Sequence, residues 1–478
     1  MSRPPEAIPP GADGQVARRF LALGSGEAVA RLVAFAATIY AARVLGPASY
    51  GAIGVATAVT LYLTHLADGG VELGIGVREV AAAPHRLAAI VPSILTARLV
   101  VSVVLALVAG AAALLLLPEP EATVVALYAL TLVAVGGSGR WVHLALGRAG
   151  LVALSRAAGQ FLVLGLVLLL VRGPRDVARV PLAQLAGDVA VTLLLLRRLR
   201  LDGIPLAPRL EPSVIRPLLP RSGSLVLGTM LGLMIFNADL IFLRLFRGST
   251  ETGLYTAAYT FVSFGVNLGL AYSLSLLPSL TRLGTEPAAR TALYQTAVVQ
   301  VFAVSLPVAV GGQLLAGPLL ELVFGTRYAP AGPALALLGW SVPLSLVRDV
   351  PIIALMAIGR EDKVLRVTAL AAGLNLCLNL ALIPRYGMAG AALATVATEA
   401  VRLVIAFRVA RRLGFPVGGI PRLWRPLAAA AAMAGLLLAL APRSLPLAVA
   451  LGAAAYLAAL LAVGGVRLRR DGPPILTV

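Results

Sequence analysis

Along the chain, apolar runs of roughly 20 residues alternate with short polar connections, and a run of that length is what a helix needs to cross the hydrocarbon core of a bilayer. The pattern predicts helices near 20–42, 52–71, 88–116, 122–146, 151–171, 178–196, 222–243, 254–280, 291–316, 329–357, 364–383, 388–410, 426–441 and 446–465. The expected fold is an all-α polytopic membrane protein of about fourteen transmembrane helices. The last pair is the least marked, being short and rich in Ala and Leu.

Composition agrees with the pattern. The chain of 478 residues is 59% hydrophobic and only 13% charged, with a mean hydropathy of +0.93, whereas a soluble chain of this length carries about twice that charge. The net charge of +19 would suggest nucleic acid in a soluble protein. Here most basic residues fall between apolar runs, where anionic membrane lipids are the nearer partner, so no nucleic acid is expected. Cys377 is the only cysteine, which excludes an intramolecular disulfide and a multi-cysteine metal site. The first apolar run is too long and too charged for a signal-peptide core, so the N-terminus is expected to be retained.

The distribution of Arg sets the expected orientation. With the N-terminus in the cytoplasm, Arg18, Arg19, Arg78, Arg86, Arg140, Arg148, Arg197, Arg198, Arg200, Arg282, Arg290, Arg360, Arg408, Arg411, Arg412 and Arg467 all fall on the cytoplasmic side. The positive-inside rule therefore places both termini in the cytoplasm, and the expected location is the cytoplasmic (inner or plasma) membrane. The segment "RGPRDVAR" at 172–179 violates it. Every connection is short, the longest being the basic segment 197–221, so no loop can hold a folded catalytic domain. The expected organisation is a tail at 1–19, an N-lobe of helices 1–6 at 20–196, a linker at 197–221, a C-lobe of helices 7–12 at 222–412, helices 13 and 14 at 413–465, and a tail at 466–478.

The two lobes carry the trace of a duplication. "RVLGPASYGAIGVA" at 43–56 aligns with "RLFRGSTETGLYTAA" at 244–258, and the pairs Gly46/Gly248, Gly51/Gly253 and Ala56/Ala258 share one offset. Six spans return the chain to its starting side, so the repeats would be parallel, in a pseudo-two-fold relation around a central cavity.

Charges within the apolar runs are the candidate chemistry. A charge at helix centre costs about 2.5–3.5 kcal/mol on insertion scales and normally faces a cavity or a partner helix. Glu27 and Arg31 lie on one face of the first helix at i, i+4, and Glu399 and Arg402 repeat the arrangement at i, i+3 in the twelfth. Arg98, Asp188, Asn237, Asp239, Arg348, Asp349, Asn375 and Asn379 complete the set. On a structural reading each pair neutralises itself. On a functional one Arg31, Arg98 and Arg348 receive an anionic headgroup, their planar guanidinium groups suiting a pyrophosphate, while Glu27, Asp239, Asp349 or Glu399 orients them or binds a coupling ion. Arg156, close to a helix start, reads as a snorkelling residue. No Ser/His/Asp set, nucleotide loop or metal-ligand spacing occurs, and His65, His85 and His143 are scattered, so neither an enzyme nor a cofactor nor a metal is expected.

Taken in order, "AARVLGPASYGAIGVA", "LADGGVELGIGVREVA" at 66–81, "NADLIFLRLFRGSTETGLYTAAYTF" at 237–261, "LLPSLTRL" at 276–283, "LLELVFGTRYAPAGPAL" at 319–335 and "NLCLNLALIPRYGMAGAALATVATE" at 375–399 resemble the bacterial polysaccharide flippases, the lipid-linked oligosaccharide exporters of the multidrug/oligosaccharidyl-lipid/polysaccharide (MOP) superfamily. The likeness covers roughly residues 15–412. It implies two six-helix lobes forming a V-shaped cavity, with helices 13 and 14 added, and rocker-switch export of an undecaprenyl-pyrophosphate-linked glycan to the outer leaflet for cell-surface polysaccharide. It also implies headgroup or ion-coupling roles for charged residues of the first and seventh helices, which here are Glu27, Arg31 and Asp239. The few basic residues in the first helix disfavour a peptidoglycan precursor. Partners implied are the lipid-linked oligosaccharide, membrane lipids, H+ or Na+, and polysaccharide assembly enzymes. Two alternatives stand beside this reading: a cation-coupled multidrug antiporter of the same superfamily, and a non-transporting membrane scaffold for glycan assembly.

Overall fold

The structure, a computed structural model, describes residues 12–416, 418, 422–440, 444–467 and 475–476. The expected tails at 1–19 and 466–478 lie largely outside these residues. The described chain is helical almost throughout and forms two compact units that meet in sequence between Met230 and Leu231.

The first unit contains α1 (Ala12–Asp68), α2 (Gly76–Ala82), α3 (Leu87–Leu116), α4 (Glu121–Gly136), α5 (Arg140–Ala145), α6 (Ala149–Leu170), α7 (Arg179–Leu201), α8 (Pro212–Ile215) and the start of α9 (Leu219–Arg247). The second holds the rest of α9, α10 (Ser249–Arg282), α11 (Pro287–Phe324), α12 (Gly332–Leu338), α13 (Ser341–Ala357), α14 (Glu361–Arg412), α15 (Trp424–Leu440) and α16 (Leu445–Ala462). Eleven of the helical stretches are long and apolar enough to cross a membrane. Two of them, α1 and α14, are broken at a single glycine, and α15 is a shorter apolar helix. Counted by segment, these make the expected fourteen.

The breaks explain why pattern alone drew loops where the chain has almost none. In α1 the backbone departs from the helix at Gly46 (φ 77°, ψ 170°), and Pro47 follows. A positive φ costs a glycine nothing, and Pro favours the first turn of the helix that restarts after it. Gly248, its sequence partner in the other unit, has nearly the same backbone (φ 85°, ψ 179°) and starts α10. In α14 the break is at Gly387 (φ 57°, ψ −132°), where the Met388 N–H donates to Glu251 Oε1 at 2.6 Å and Arg247 Nε in turn donates to Glu251 Oε2 at 2.9 Å.

Helix faces are sorted as lipid demands. On α3 the buried stripe is Ile94, Arg98, Ser102, Ala106 and Ala113, while Val100, Val104, Leu107 and Leu115 are exposed. With apolar solvent outside, small and polar residues gain more from packing inward than large aliphatic ones do. The same logic brings α6 and α7 together at Gly159 and Gly187: a Cβ on Gly159 would lie 2.4 Å from Val191, and one on Gly187 2.4 Å from Val163. A buried cluster around Trp141, Ile94, Leu199 and Val214 folds segment 203–218 back onto the first unit, where the Arg209 N–H donates to Thr96 and the Glu211 N–H to Ser93. The last two helices dock on α11 through Leu306, Ala430, Met433 and Tyr456, whose hydroxyl donates to the Ala303 carbonyl at 2.6 Å.

The anomalous basic segment at 172–179 has a local explanation. Arg172 Nε donates to the Leu169 carbonyl at 3.3 Å and Arg179 Nη1 to the Leu170 carbonyl at 2.6 Å, so two of its cations cap the C-terminus of α6. A helix C-terminus attracts positive charge by its unpaired carbonyls and dipole. Asp176 accepts the N–H groups of Arg172 and Gly173 and pairs with Arg179 at 3.0 Å. The backbone bond from Arg172, with the neighbouring cations, holds the Asp176 carboxyl below its usual range.

Candidate functional site: charged networks within the spans

Three groups of charge lie within the membrane-spanning segments. The first joins α1 and α6. Gly26 lets the two helices close on each other, since a Cβ there would lie 2.6 Å from the Cβ of Ala153. One turn of each helix then places Glu27 between two guanidinium groups: Oε1 is 3.4 Å from Arg31 Nε, and Oε2 is 3.4 Å from Arg156 Nε. Arg31 and Arg156 remain 45% and 41% exposed. Asp188 on α7, held by Gln184 Nε2 at 3.0 Å, and Arg140 on α5 lie within electrostatic range of Arg156.

The second group closes the end of α1 against α3 and α5. Arg98 Nη2 lies 3.1 Å from Asp68 and 3.5 Å from Glu72, and its Nη1 donates to the Ser138 carbonyl at 3.3 Å. Arg140 reaches the other oxygen of Glu72 at 3.5 Å. The Asp68 carboxylate also accepts the Glu72 N–H at the π-helical turn Val71–Ile75. Arg98, only 4% exposed, is thus committed to neighbours within its own unit.

The third group is in the second unit. Arg348 on α13 pairs with adjacent Asp349 and with Glu399 on α14, both at 3.0 Å, and Glu399 also takes Arg402 at 3.3 Å. Ser345 Oγ donates to Glu399 at 3.0 Å and Arg402 Nη2 to Thr368 at 3.2 Å. Two cations and two anions are balanced in a buried network. Such a network is costly to break, because removal of one partner strands a buried charge. Nearby, Asp239 on α9 is fully buried and accepts the Tyr255 hydroxyl at 2.5 Å and the Leu240 N–H at 2.9 Å. It has no ion-pair partner among the described residues. Asn379 Nδ2 donates to Asn375 Oδ1 at 2.8 Å, and Asn375 Nδ2 to Thr398 at 3.3 Å.

With this arrangement in view, comparison with known proteins is informative. Residues 16–283, more than half of the chain, match the family described as polysaccharide biosynthesis protein. The chain belongs to that family. The probable flippase AglR of Haloferax volcanii is 30% identical over 178 residues, which are 36% of this chain and 37% of that relative. The chain therefore aligns with little more than a third of that relative's length. Among solved structures, the inward closed lipid II flippase MurJ superposes with a TM-score of 0.74 at 12% identity, covering 92% of this chain and 98% of that one. An inward-facing multidrug resistance MATE transporter of the MOP superfamily gives 0.68 at 17% identity, covering 80% and 94%. At these identities the likeness establishes the fold alone, shared with that flippase and that transporter.

In this family member the three arginines singled out from sequence differ sharply. Arg31 stands half exposed, whereas Arg98 and Arg348 are buried against carboxylates. The sequence paired Glu27 with Arg31 and Glu399 with Arg402, and both contacts exist. It missed the cross-helix partners: Arg156 for Glu27, Asp68 and Glu72 for Arg98, Glu399 for Arg348, and Tyr255 for Asp239. Glu72 lies inside the quoted stretch "LADGGVELGIGVREVA", where the closely spaced glycines that break the helix were the available signal. His143, scattered by sequence, is buried on the Leu195 carbonyl at 3.0 Å.

Proposed function

We propose that the protein flips a polyprenyl-pyrophosphate-linked oligosaccharide from the cytoplasmic to the outer leaflet by alternating access, with Arg31 meeting the pyrophosphate. The observation that carries this reading is the Glu27 group: within the spans, it alone of the three holds guanidiniums that are close to half exposed, with one carboxylate in direct contact with two of them. A diphosphate is what planar, forked donors recognise well. An apolar groove in the second unit supports the same reading. It has a volume of about 710 Å³ and is lined by Phe302, Trp340, Leu344, Phe407, Leu427 and Ala431, a surface suited to the polyprenyl chain.

Asp239 is proposed as the ion-coupling residue, since a buried carboxylate without a cationic partner is the natural place for H+ or Na+. Asp349 and Glu399 orient Arg348 and Arg402. The test is movement of a lipid-linked oligosaccharide between leaflets in proteoliposomes, with and without an imposed ion gradient. Arg31→Ala should slow movement at least tenfold, the cost of a lost charge-assisted contact, and Asp239→Asn should abolish its gradient dependence. If the folded protein moves no lipid-linked glycan but exchanges a small organic cation for protons, the protein is a multidrug antiporter.

A further inference from the structure

We infer that Arg31 and Arg156 together form a two-guanidinium seat for a diphosphate, and that Glu27 occupies this seat as an internal stand-in which the ligand displaces. The inference rests on the reading of Arg31 as a headgroup contact, and it assigns a second arginine, on another helix, and a new role for the carboxylate.

Four features carry it. First, each arginine meets Glu27 through Nε alone, and the four terminal nitrogens of the pair have no partner among the described residues. Those terminal nitrogens are the forked donors that a diphosphate could take. Second, a single carboxylate is shared between two guanidiniums carried by different helices, at 3.4 Å from each. Third, the backbones on either side are pinned by the Gly26–Ala153 approach, so the separation of the two guanidiniums is set by helix packing rather than by the carboxylate. Fourth, both arginines keep close to half of their surface accessible, which leaves a route by which the anion can enter.

A diphosphate offers acceptor oxygens on two phosphorus centres and more negative charge than one carboxylate, so it can satisfy both forks at once. On its arrival Glu27 rotates away, and on its departure Glu27 returns. The seat is thereby never left as two adjacent unpaired cations, a state that would hold the product back. Glu27 therefore weakens binding and speeds release. Arg140 does not join the seat, being committed to Glu72, and Asp188 stays with Gln184; both remain near enough to tune the field.

The test is equilibrium binding of two probes, a polyprenyl diphosphate in nanodiscs and inorganic pyrophosphate in solution, to the full-length protein, with leaflet-to-leaflet movement of a lipid-linked oligosaccharide measured in parallel. Arg156→Ala should weaken polyprenyl diphosphate about tenfold, Arg156→Lys should recover part of that loss, and Glu27→Gln should tighten binding severalfold while slowing transport. Unchanged thermal unfolding midpoints establish that the variants are folded. Tightening of both probes by Glu27→Gln means that the seat accepts free diphosphate as well as the lipid headgroup; tightening of the lipid alone means that it reads the headgroup only in the bilayer. If the wild type binds and moves the lipid but Arg156→Ala and Glu27→Gln bind diphosphate as it does, the seat is wrong and the flippase reading stands. If the wild type neither binds the lipid nor moves it, both fall.

Discussion

At the residue scale, the chain treats its arginines in three ways, and only the neighbours distinguish them. Arg172 and Arg179 cap carbonyls, Arg98, Arg348 and Arg402 are sealed in ion-pair networks, and Arg31 and Arg156 stay accessible. Asp202, just beyond the end of α7, illustrates how such pairing couples to pH. The hydrogen bond from Arg148 Nη1, reinforced by Arg198 at 3.2 Å, holds its carboxyl below the usual carboxylate range. A depressed folded-state value stabilises the fold above the unfolded value and loses that contribution as pH falls through the folded one. Asp202→Asn should therefore lower the unfolding midpoint at neutral pH and flatten its decline below about pH 4, as read by thermal unfolding in detergent across a pH series. The residues involved were visible in the sequence, but their pairings were not. Spacings of three or four along one helix disclose a neighbour, whereas Glu27 with Arg156 and Arg348 with Glu399 meet only once the helices have packed.

At the element scale, the spans were legible because lipid requires long apolar runs, and the kind of break between them was not. The expected gaps near 43–51 and 384–387 turn out to be single residues of non-helical backbone inside α1 and α14, since one glycine with positive φ redirects a helix as well as a loop does. The expected helix at 329–357 divides into a 3₁₀ turn at Thr326–Ala331, α12 and α13. Helix α15, among the least marked in the sequence, supplies a wall of the apolar groove. Ala431→Trp should fill that groove. Transport of a long-chain polyprenyl-linked glycan should then fall severalfold while affinity for inorganic pyrophosphate is unchanged, a contrast that separates a chain site from a headgroup site. Equal transport by this variant and its parent would remove the groove from the mechanism.

At the scale of the whole molecule, the duplication suggested by Gly46 and Gly248 reappears as two units whose matched glycines share one backbone conformation, although the residues between them have diverged. The number of spans, about fourteen, could be counted beforehand from the apolar runs. What each unit does with its buried charge could not, because the balanced network of one and the accessible seat of the other draw on the same residue types. The single-residue breaks at Gly46 and Gly387 also bear on how the protein can be probed. A protease must draw an extended strand of its target into its cleft, and a turn with one non-helical residue offers none. Limited digestion of the folded protein should spare both breaks under conditions that cut near Gly203–Glu211, where residues such as Pro208 and Leu210 are exposed between helices. At Gly46 in the first unit and at Gly387 in the second, the chain would be nearly invisible to enzymes and antibodies that recognise loose chain.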